Sequence, residues 1–266
     1  MPELPEVETV VRSLAPHLTG RRILSATFSS RFVTPGNRRK LALKLAGRSI
    51  VSVKRRGKFI LMTLDRGESD TLATLAVHLG MTGKLLMDGT QGEHTHGVFT
   101  LDGGVLLYDD PRQFGRIEWS PARVNRLGPE PLEIGLEEFS ARLRARKTRV
   151  KPLLLNQAFL AGMGNIYVDE ALFLAGIHPL AMASRLTAAR AARLYQAMRD
   201  VLTLAIEHRG SSISDYVDAE GRRGDFQQLH RAYGREGEPC VNCGAAIKKI
   251  VVGQRGTHFC PRCQKR

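Results

Sequence analysis

CVNCGAAIKKIVVGQRGTHFCPRC, residues 240–263, holds all four cysteines of this 266-residue chain. Two Cys-x2-Cys pairs separated by sixteen residues offer four soft thiolates, the tetrahedral ligand set of structural zinc. Four cysteines occupy all four coordination positions of a tetrahedral zinc ion and leave none open for catalysis. The sequence therefore predicts one structural zinc ion. Its predicted ligands are Cys240, Cys243, Cys260 and Cys263. The stretch between the pairs alternates as a β-hairpin does, which predicts a zinc ribbon with its turn at Gln254-Arg255-Gly256.

Upstream of the ribbon, the spacing of apolar residues changes twice. Residues 5–18 carry valine and leucine at helical spacing, and Pro5 suits the first turn of a helix. From about residue 22 to 120, short apolar and β-branched segments are separated by turns, which predicts an antiparallel sandwich or flattened barrel. Residues 136–208 then favour amphipathic helices, with Thr187 as the N-cap of the longest one.

These patterns predict an α+β multidomain protein. An N-terminal antiparallel β-sandwich that carries the first helix occupies 1–130, a helical domain occupies 131–225, and the zinc ribbon occupies 226–266. The polar, glycine-containing segment 210–226 predicts a mobile loop.

The charge balance indicates the class of partner. Lys and Arg number 40 against 26 Asp and Glu, a formal net charge of +14. Such an excess attracts polyanions, nucleic acid first and an anionic membrane second. No run of 18 apolar residues occurs, and the first residues lack the basic segment of a secretory signal. We therefore expect a cytoplasmic protein that does not contact membranes.

The first residues offer a second candidate for chemistry. Once Met1 is removed, Pro2 carries a free secondary amine, and α-amino groups titrate near about 7.7–8.0, so part of it is neutral at physiological pH. Attack of this amine on a sugar C1′ gives an iminium, whose positive charge favours elimination at the neighbouring carbon. Glu3 lies beside it as a candidate proton donor. Many chains begin with Met-Pro, so these residues alone leave catalysis open.

The N-terminal stretch MPELPEVET closely resembles the start of the bacterial formamidopyrimidine-DNA glycosylases. The resemblance continues along the whole chain in seven ordered motifs before it ends in the zinc finger. These motifs are RRGK (55–58), HLGMTG (78–83), DPRQFG (110–115), LGPEPL (127–132), GMGNIY (162–167), GIHP (176–179) and YGREG (233–237). The match is specific because seven motifs occur, and they occur in order along the chain. It implies a helix–two-turn–helix element in the helical domain.

The resemblance also implies a reaction and its residues. A bifunctional glycosylase and abasic-site lyase would remove 8-oxoguanine and formamidopyrimidines from duplex DNA and then cut the strand by β- and δ-elimination. Pro2 would be the Schiff-base nucleophile and Glu3 the proton donor. Lys58 would assist β-elimination, and Arg255 matches the finger residue associated with δ-elimination.

Further residues match DNA contacts of the family. A base must leave the stack before its sugar can be attacked, and the vacated space needs a plug. Three residues match that plug: Met81, Arg112 and Phe114. Four others match DNA-contacting positions: His78, His94, Lys147 and Asn165, of which Asn165 matches a phosphate ligand. Although His94 and His96 could share one strand face as a metal pair, a phosphate contact by His94 is favoured because no third ligand is near.

The expected partner is duplex DNA that contains an oxidised base or an abasic site, bound by a monomer associated with the nucleoid. Two alternatives remain. A sister enzyme of the endonuclease VIII type would remove oxidised pyrimidines, but Leu4 favours the purine branch. A catalytically silent zinc-finger protein that binds damaged DNA is the other. Gln113 departs from the family pattern, since many relatives carry a cation there.

Overall fold

The computed structural model describes residues 2–65, 72–213 and 216–266. Its contacts divide the chain into two compact units. Unit 1 is Met1–Asn125 with Arg209–Asp225, and unit 2 is Arg126–His208 with Phe226–Arg266. The division into three domains at residues 130 and 225 stays a prediction. The contacts group residues 209–225 with unit 1 because Tyr216 and Ala219 lie in its hydrophobic core.

The described residues form six α-helices and ten strands, numbered in chain order. The helices are α1 (Leu4–Leu18), α2 (Arg38–Leu45), α3 (Leu136–Arg144), α4 (Val150–Leu155), α5 (Asn165–Leu174) and α6 (Ala188–Glu207). The strands are β1 (Ile23–Phe28), β2 (Ile50–Arg56), β3 (Phe59–Leu64), β4 (Ala73–His78), β5 (Lys84–Met87), β6 (Thr95–Leu101), β7 (Gly104–Asp109), β8 (Arg116–Trp119), β9 (Lys248–Val252) and β10 (Arg255–Phe259). Within the described residues, no helix combines the length and apolar character needed to cross a bilayer.

Unit 1 is a sandwich of two four-stranded antiparallel sheets. One sheet has the order β1-β6-β7-β5 and the other β2-β3-β4-β8. Alternate side chains of each strand point inwards, and residues of both sheets, such as Phe99 and Met62, share one hydrophobic core. Helix α1 contributes its valine and leucine face to that core. The predicted β-sandwich with an N-terminal helix is therefore confirmed.

Unit 2 joins a helical part to the zinc ribbon. Helix α6 packs on α3 and α5, and its predicted N-cap is confirmed because the Thr187 hydroxyl accepts a hydrogen bond from the backbone of Arg190. Strands β9 and β10 pair as an antiparallel hairpin. Buried Phe173 of α5 packs with Ile247 and two cysteines of the ribbon. Since a ribbon this small has little core of its own, helix α5 supplies apolar surface that the metal-bound loops lack.

Three details differ from the sequence prediction. Helix α2 was predicted as part of the sheet region, but its apolar residues Leu41 and Leu45 lie four apart and are both buried, which is helical spacing. The short helix α4 was not predicted. The predicted turn at Gln254-Arg255-Gly256 is only partly right: the two-residue turn is Gly253-Gln254, and Arg255 and Gly256 are the first residues of β10.

Candidate active site and nucleic-acid interface

Pro2 and Glu3 lie directly before the first turn of α1, and both are buried. The Glu3 carboxylate accepts a hydrogen bond from the backbone of Glu6, and Oε2 of Glu6 accepts one from the Glu3 N–H at 2.8 Å. This reciprocal capping box satisfies two backbone donors that a helix start leaves open. It also fixes the Glu3 carboxyl next to Pro2, at the end of α1 where the helix dipole is positive.

Lys58 lies in a tight turn between β2 and β3. Gly57 takes a φ of +57° as the first residue of this two-residue turn, a conformation that glycine adopts without strain. The Lys58 side chain is only 7% exposed. Nε of Arg55 donates to Oε2 of Glu8 at 2.9 Å, so an ion pair joins α1 to the strand that leads into this turn. Although burial alone would raise it, hydrogen bonds from Arg12 and Arg55 hold the pKa of Glu8 below its usual value.

His78 ends strand β4 opposite Phe59, which follows Lys58 directly. Burial, together with the charges of Arg123, Lys58 and Arg116, lowers the pKa of His78 to about 4. The ring is therefore neutral at physiological pH. Because the Gly80 N–H donates to its Nδ1 at 3.1 Å, the ring proton lies on Nε2. His78 can thus donate a hydrogen bond without contributing charge.

Two loops of unit 1 present the predicted plug residues. Met81 lies in the loop after β4, and Arg112 and Phe114 lie in the loop before β8. Met81 is 39% exposed and Phe114 is 51% exposed, so both apolar side chains are accessible to a partner. The Arg112 guanidinium lies 4.7 Å from the centre of the Phe114 ring. An exposed thioether, an exposed ring and a cation that contacts the ring are thus gathered on two adjoining loops.

The two loops are tied together by the buried carboxylate of Asp110. Its Oδ1 accepts from the Thr82 hydroxyl at 2.6 Å, and its Oδ2 accepts from the Gly115 N–H at 2.8 Å. Gly80 has a φ of +62°, and a Cβ atom there would lie 2.5 Å from the backbone nitrogen of Gly115. No side chain fits that approach. Asp110 and Gly80 are functional residues in the sense that they position Met81 and Phe114.

The segment after α6 packs on the start of α1. The Ser211 N–H donates to Oε1 of Glu6 at 2.7 Å, and the Tyr216 hydroxyl donates to the Glu6 carbonyl at 3.1 Å. Asp218 is fully buried and accepts hydrogen bonds from Arg209 and from the backbone of Arg222. Within the segment predicted to be mobile, the described residues therefore form a hydrogen-bonded turn; residues 214 and 215 lie outside the described residues.

In unit 2, the carbonyl of Gly256 joins the ribbon to α4 and α5. It accepts from Nδ2 of Asn165 at 2.9 Å and from Nζ of Lys151 at 3.2 Å. Lys151 in turn lies 2.6 Å from Oδ1 of Asp169, and Oδ2 of Asp169 accepts from the backbone of His258 at 2.9 Å. Arg255, which precedes Gly256, is exposed. The structure thus brings Asn165 next to the strand that begins with Arg255.

The four cysteines converge at the end of the ribbon. Their sulfur atoms all lie within 4.8 Å of one another. The sulfur atoms of Cys240 and Cys263 are 3.9 Å apart, and those of Cys243 and Cys260 are 3.5 Å apart. Zinc–sulfur bonds of about 2.3 Å in a tetrahedron require sulfur atoms about 3.8 Å apart, so the geometry fits one zinc ion.

The remaining predicted contacts lie on the surface. Lys147 is exposed between α3 and α4, and His94 is exposed just before β6, where its Nε2 lies 3.1 Å from a carboxylate oxygen of Glu93. Among the described residues, the cysteines are the one group of three or more potential ligands that could hold a metal ion, so His94 and His96 gain no third ligand. Sequence reasoning missed Lys151, Asp169 and the contact of Glu6 with Ser211, because these roles depend on residues far away in the chain.

Family profiles match the chain in three consecutive segments. The formamidopyrimidine-DNA glycosylase N-terminal domain matches residues 1–117, and the H2TH domain of the same enzymes matches 127–217. A zinc finger found in FPG and IleRS matches residues 237–266. The formamidopyrimidine-DNA glycosylase of Solibacter usitatus is 60% identical over 270 residues that span 100% of both chains.

The chain belongs to the formamidopyrimidine-DNA glycosylase family. Membership makes it a base-excision DNA-repair glycosylase, and enzymes of this family are also abasic-site lyases. The predicted fold, with its helix–two-turn–helix domain and zinc finger, is confirmed, as is the single zinc ion.

Solved structures agree with this assignment. The MutM (FPG) protein of Thermus thermophilus has a TM-score of 0.88 and 42% identity, over 99% of this chain and 98% of that one. A Lactococcus lactis FPG variant bound to DNA containing Fapy-dG has a TM-score of 0.89 and 36% identity, with 100% of both chains covered. A complex of the Lactococcus lactis protein with DNA containing an abasic site has a TM-score of 0.87.

Proposed function

We propose that this formamidopyrimidine-DNA glycosylase removes oxidised purines, 8-oxoguanine and formamidopyrimidines, with the amine of Pro2 as nucleophile. The observation that carries the proposal is the buried position of Pro2 and Glu3 at the start of α1. With Met1 removed, the amine of Pro2 lies at the positive end of α1, directly before the N-cap residue Glu3. This position disfavours a charged amine and so favours the neutral form that attacks C1′.

The reaction then follows from the nucleophile. The Pro2 nitrogen forms a bond to C1′ while the N-glycosidic bond breaks, and the base leaves with the electron pair and a proton. Glu3, which the capping box holds beside Pro2, would supply a proton near the sugar. Opening of the sugar ring gives the iminium, which makes the C2′ proton acidic. Loss of that proton expels the 3′ phosphate, and a second elimination expels the 5′ phosphate.

Two cations are proposed to assist strand cleavage. Lys58 is nearly buried in the β2–β3 turn of the unit that carries Pro2, a position that suits a group aimed at a sugar phosphate. Arg255 is exposed at the first position of β10, where it can reach a phosphate as the strand breaks. Each would stabilise the negative charge on a departing phosphate.

The proposed DNA contacts are of two kinds, those that fill or inspect the site of the extruded nucleotide and those that bind the DNA backbone. Met81 and Phe114 would fill the space left by the extruded nucleotide, and Arg112 would contact the orphaned base. His78 would donate from Nε2 to the backbone, with His94 and Lys147 as exposed contacts. Asn165 and its neighbours at the start of α5 would bind a phosphate through N–H groups, as helix starts do.

Borohydride trapping tests the nucleophile. Reduction of the iminium should join protein to lesion DNA covalently, and peptide mass mapping should place the adduct on residue 2. The matched control is a form of the protein that retains Met1, which has no free amine at Pro2 and should not trap. Trapping on a lysine, or equal trapping by the control, would contradict the mechanism. A panel of duplexes with oxidised purines and oxidised pyrimidines separates this enzyme from the endonuclease VIII type.

Base release and strand cleavage should be measured separately for Lys58→Ala and Arg255→Ala. The proposal expects strand cleavage to slow more than base release in single-turnover experiments at saturating enzyme. If both variants lose only affinity, in proportion to the lost charge, the two residues are phosphate contacts and no more.

We also infer that the enzyme acts as a monomer associated with the nucleoid in the cytoplasm. Each domain of the family is present once in the chain, and its substrate is chromosomal DNA. Sedimentation velocity with and without lesion duplex tests the stoichiometry: one protein per duplex is expected, and a dimer would contradict the inference.

A further inference from the structure

The positive charge of the chain is concentrated in one segment. Residues 9–64 contain 13 of the 40 Lys and Arg and none of the 26 Asp and Glu. The rest of the chain carries 27 cations against 26 acids, so almost all of the net charge of +14 comes from this segment. Only part of that charge is used by the contacts described above, which involve Arg12, Arg55 and Lys58.

Helix α2 carries the densest group of these cations. Arg39, Lys40 and Lys44 are exposed, and within the described part of the chain none of the three forms an ion pair. Lys40 and Lys44 are one helical turn apart and therefore share a face. Like charges at this spacing repel each other, so the helix is stabilised when an anion binds there.

Two hollows lie beside α2. A hollow of about 290 Å³ lies on one side of the helix and is lined by Asn37, Lys40, Lys44 and Trp119 among others. A second hollow of about 530 Å³ is lined by Arg38 and Arg39. The Lys44 ammonium lies 5.0 Å from the centre of the Trp119 ring, which holds the cation over the first hollow.

This surface is continuous with the loop that carries Arg112. The Ser30 hydroxyl donates to Oε1 of Gln113 at 2.6 Å, and the Ile117 N–H donates to the Val33 carbonyl at 2.8 Å. The segment that leads into α2 therefore lies against the residues on either side of Phe114. Helix α2 and the loop that carries Arg112 therefore adjoin each other.

We propose that α2, with Arg39, Lys40, Lys44 and Trp119, is a second DNA-contact surface that binds phosphates of the duplex flanking the lesion. The inference rests on the proposed DNA contact of Arg112 but not on the chemistry at Pro2. DNA is favoured over other polyanions because the charged face adjoins a loop that meets the same duplex. Phosphate contacts position a protein on DNA without reading its sequence, so the surface would bind undamaged flanks equally well.

Two sets of substitutions with equal charge change test the proposal. The first is Arg39→Gln, Lys40→Gln and Lys44→Gln, in which glutamine keeps the helix propensity of the replaced residues. The matched control is Arg185→Gln, Arg193→Gln and Lys265→Gln, three exposed cations of unit 2. Affinity is measured by fluorescence anisotropy over a range of salt concentrations. One undamaged duplex is only long enough to meet the loop that carries Arg112, and the other extends by two helical turns on each side.

On the extended duplex, the first set should lower the slope of log Kd against log salt by about 0.9 for each lost contact, so up to about 2.7. The effect on the short duplex should be smaller, and the control set should change the slope less on either duplex. Equal changes of the slope for both sets would mean that only the net charge matters, which would overturn the proposal. The proposal would also be overturned if the first set lost binding to phosphatidylglycerol vesicles but kept its binding to the extended duplex.

Trp119 provides an independent measurement, because it is the one tryptophan of the chain. Saturation of the unsubstituted enzyme with extended duplex should protect Trp119 from quenching by acrylamide, and the short duplex should protect it less. Unchanged quenching with extended duplex would overturn the proposal. Borohydride trapping on lesion-bearing duplexes of the same two lengths reports on Pro2 alone, so a failure of that chemistry and a failure of the α2 contact give different results.

Discussion

Nζ of Lys151 lies 2.6 Å from Oδ1 of Asp169, and neither side chain has any exposed surface. The pair does more than neutralise two buried charges, because each partner also holds the ribbon. Lys151 donates to the Gly256 carbonyl, and Asp169 accepts from the His258 N–H. An ion pair formed by two helices thereby fixes the strand that begins with Arg255.

Substitution of one residue of the Lys151–Asp169 pair should lower the free energy of unfolding far more than substitution of both residues. Lys151→Met leaves the Asp169 carboxylate buried without its cation, which should cost about 3–5 kcal/mol of the free energy of unfolding. The double variant Lys151→Met, Asp169→Asn removes that charge and keeps an acceptor for the His258 N–H, so it should be more stable than the single variant. Hydrogen exchange of the His258 amide reports the local loss. Additive effects of the two substitutions would mean that the pair is not coupled.

Arg112 should allow the enzyme to distinguish the base opposite the lesion. Unpaired cytosine offers its N3 and O2 acceptors to a guanidinium, whereas adenine pairs one acceptor with a donor. The mismatch is worth about 1–3 kcal/mol by analogy with bidentate base contacts. Since about 1.4 kcal/mol is tenfold, excision opposite cytosine should be favoured by roughly five- to 150-fold.

Single-turnover excision of 8-oxoguanine opposite each base measures this ratio. Arg112→Ala should reduce it, whereas the controls Met81→Ala and Phe114→Ala should slow excision opposite both bases because they remove the plug. An unchanged ratio in Arg112→Ala would transfer the discrimination to the other two residues.

Asp110 should be essential for the plug although it contacts no DNA in this assignment. Asp110→Asn replaces a charged acceptor of the Thr82 and Gly115 hydrogen bonds, and should cost about 1.5–3 kcal/mol. Thr82→Val removes one of these bonds and should cost less. Urea unfolding followed by Trp119 fluorescence measures both, since Trp119 lies in unit 1. The exposed Thr90→Val is the control, and an Asp110→Asn variant as stable as this control would contradict the assignment.

Zinc removal should unfold the ribbon and leave unit 1 folded. The ribbon depends on four metal bonds for its shape, so chelation or the substitutions Cys240→Ala and Cys243→Ala should displace Arg255. We expect affinity for lesion duplex to fall by more than about tenfold, or about 1.4 kcal/mol. The Trp119 unfolding transition should stay in place, because the ribbon belongs to unit 2. Equal affinity in the cysteine variant would refute this role of the metal.

Acid should destabilise the protein well above the range in which carboxylates titrate. The pKa values of His78 and His230 are both lowered to about 4, mainly by burial. An unfolded histidine titrates near about 6.5, so between these values the unfolded chain binds protons that the folded chain does not. The free energy of unfolding should therefore fall as the pH falls through this window, by up to about 1.4 kcal/mol per pH unit for each histidine.

Urea unfolding at a series of pH values checks this dependence. His78→Asn should flatten the decline, because the substituted chain has lost one of the two protonation sites. The exposed His94→Asn serves as the matched control and should leave the decline unchanged. Identical pH profiles for both variants would show that His78 is not held neutral by the fold.

The parts of this fold that sequence could predict are those that local patterns determine. The apolar stripe of α1, the short apolar segments of β3 and β4 and the cysteine spacing each carry their own signal, and each prediction was confirmed. Helix α2 was missed because eight residues rich in cations look like a solvated strand face. Its two buried leucines become meaningful only against the core beneath them.

In the candidate site, too, some residues could be predicted from the sequence and others could not. Resemblance to the family supplied Pro2, Lys58 and the plug residues. Asp110 was quoted within a motif, but its link to Thr82 spans 28 positions, and no periodicity reports such a contact. The same holds for Glu6, whose carboxylate binds the backbone of Ser211 at a separation of 205 positions. Residues that hold other residues in place become visible only in three dimensions.

The close approach of Gly80 to Gly115 has a consequence for protein engineering. Residues 78–83 and 110–116 meet at Gly80, where no side chain fits, and both segments bind the Asp110 carboxylate. The conformation of each loop therefore depends on the other. A chimera that takes one loop from a relative and keeps the native partner would combine surfaces that never evolved together. Exchange of lesion or opposite-base preference between family members therefore requires both loops to be transplanted as a single cassette.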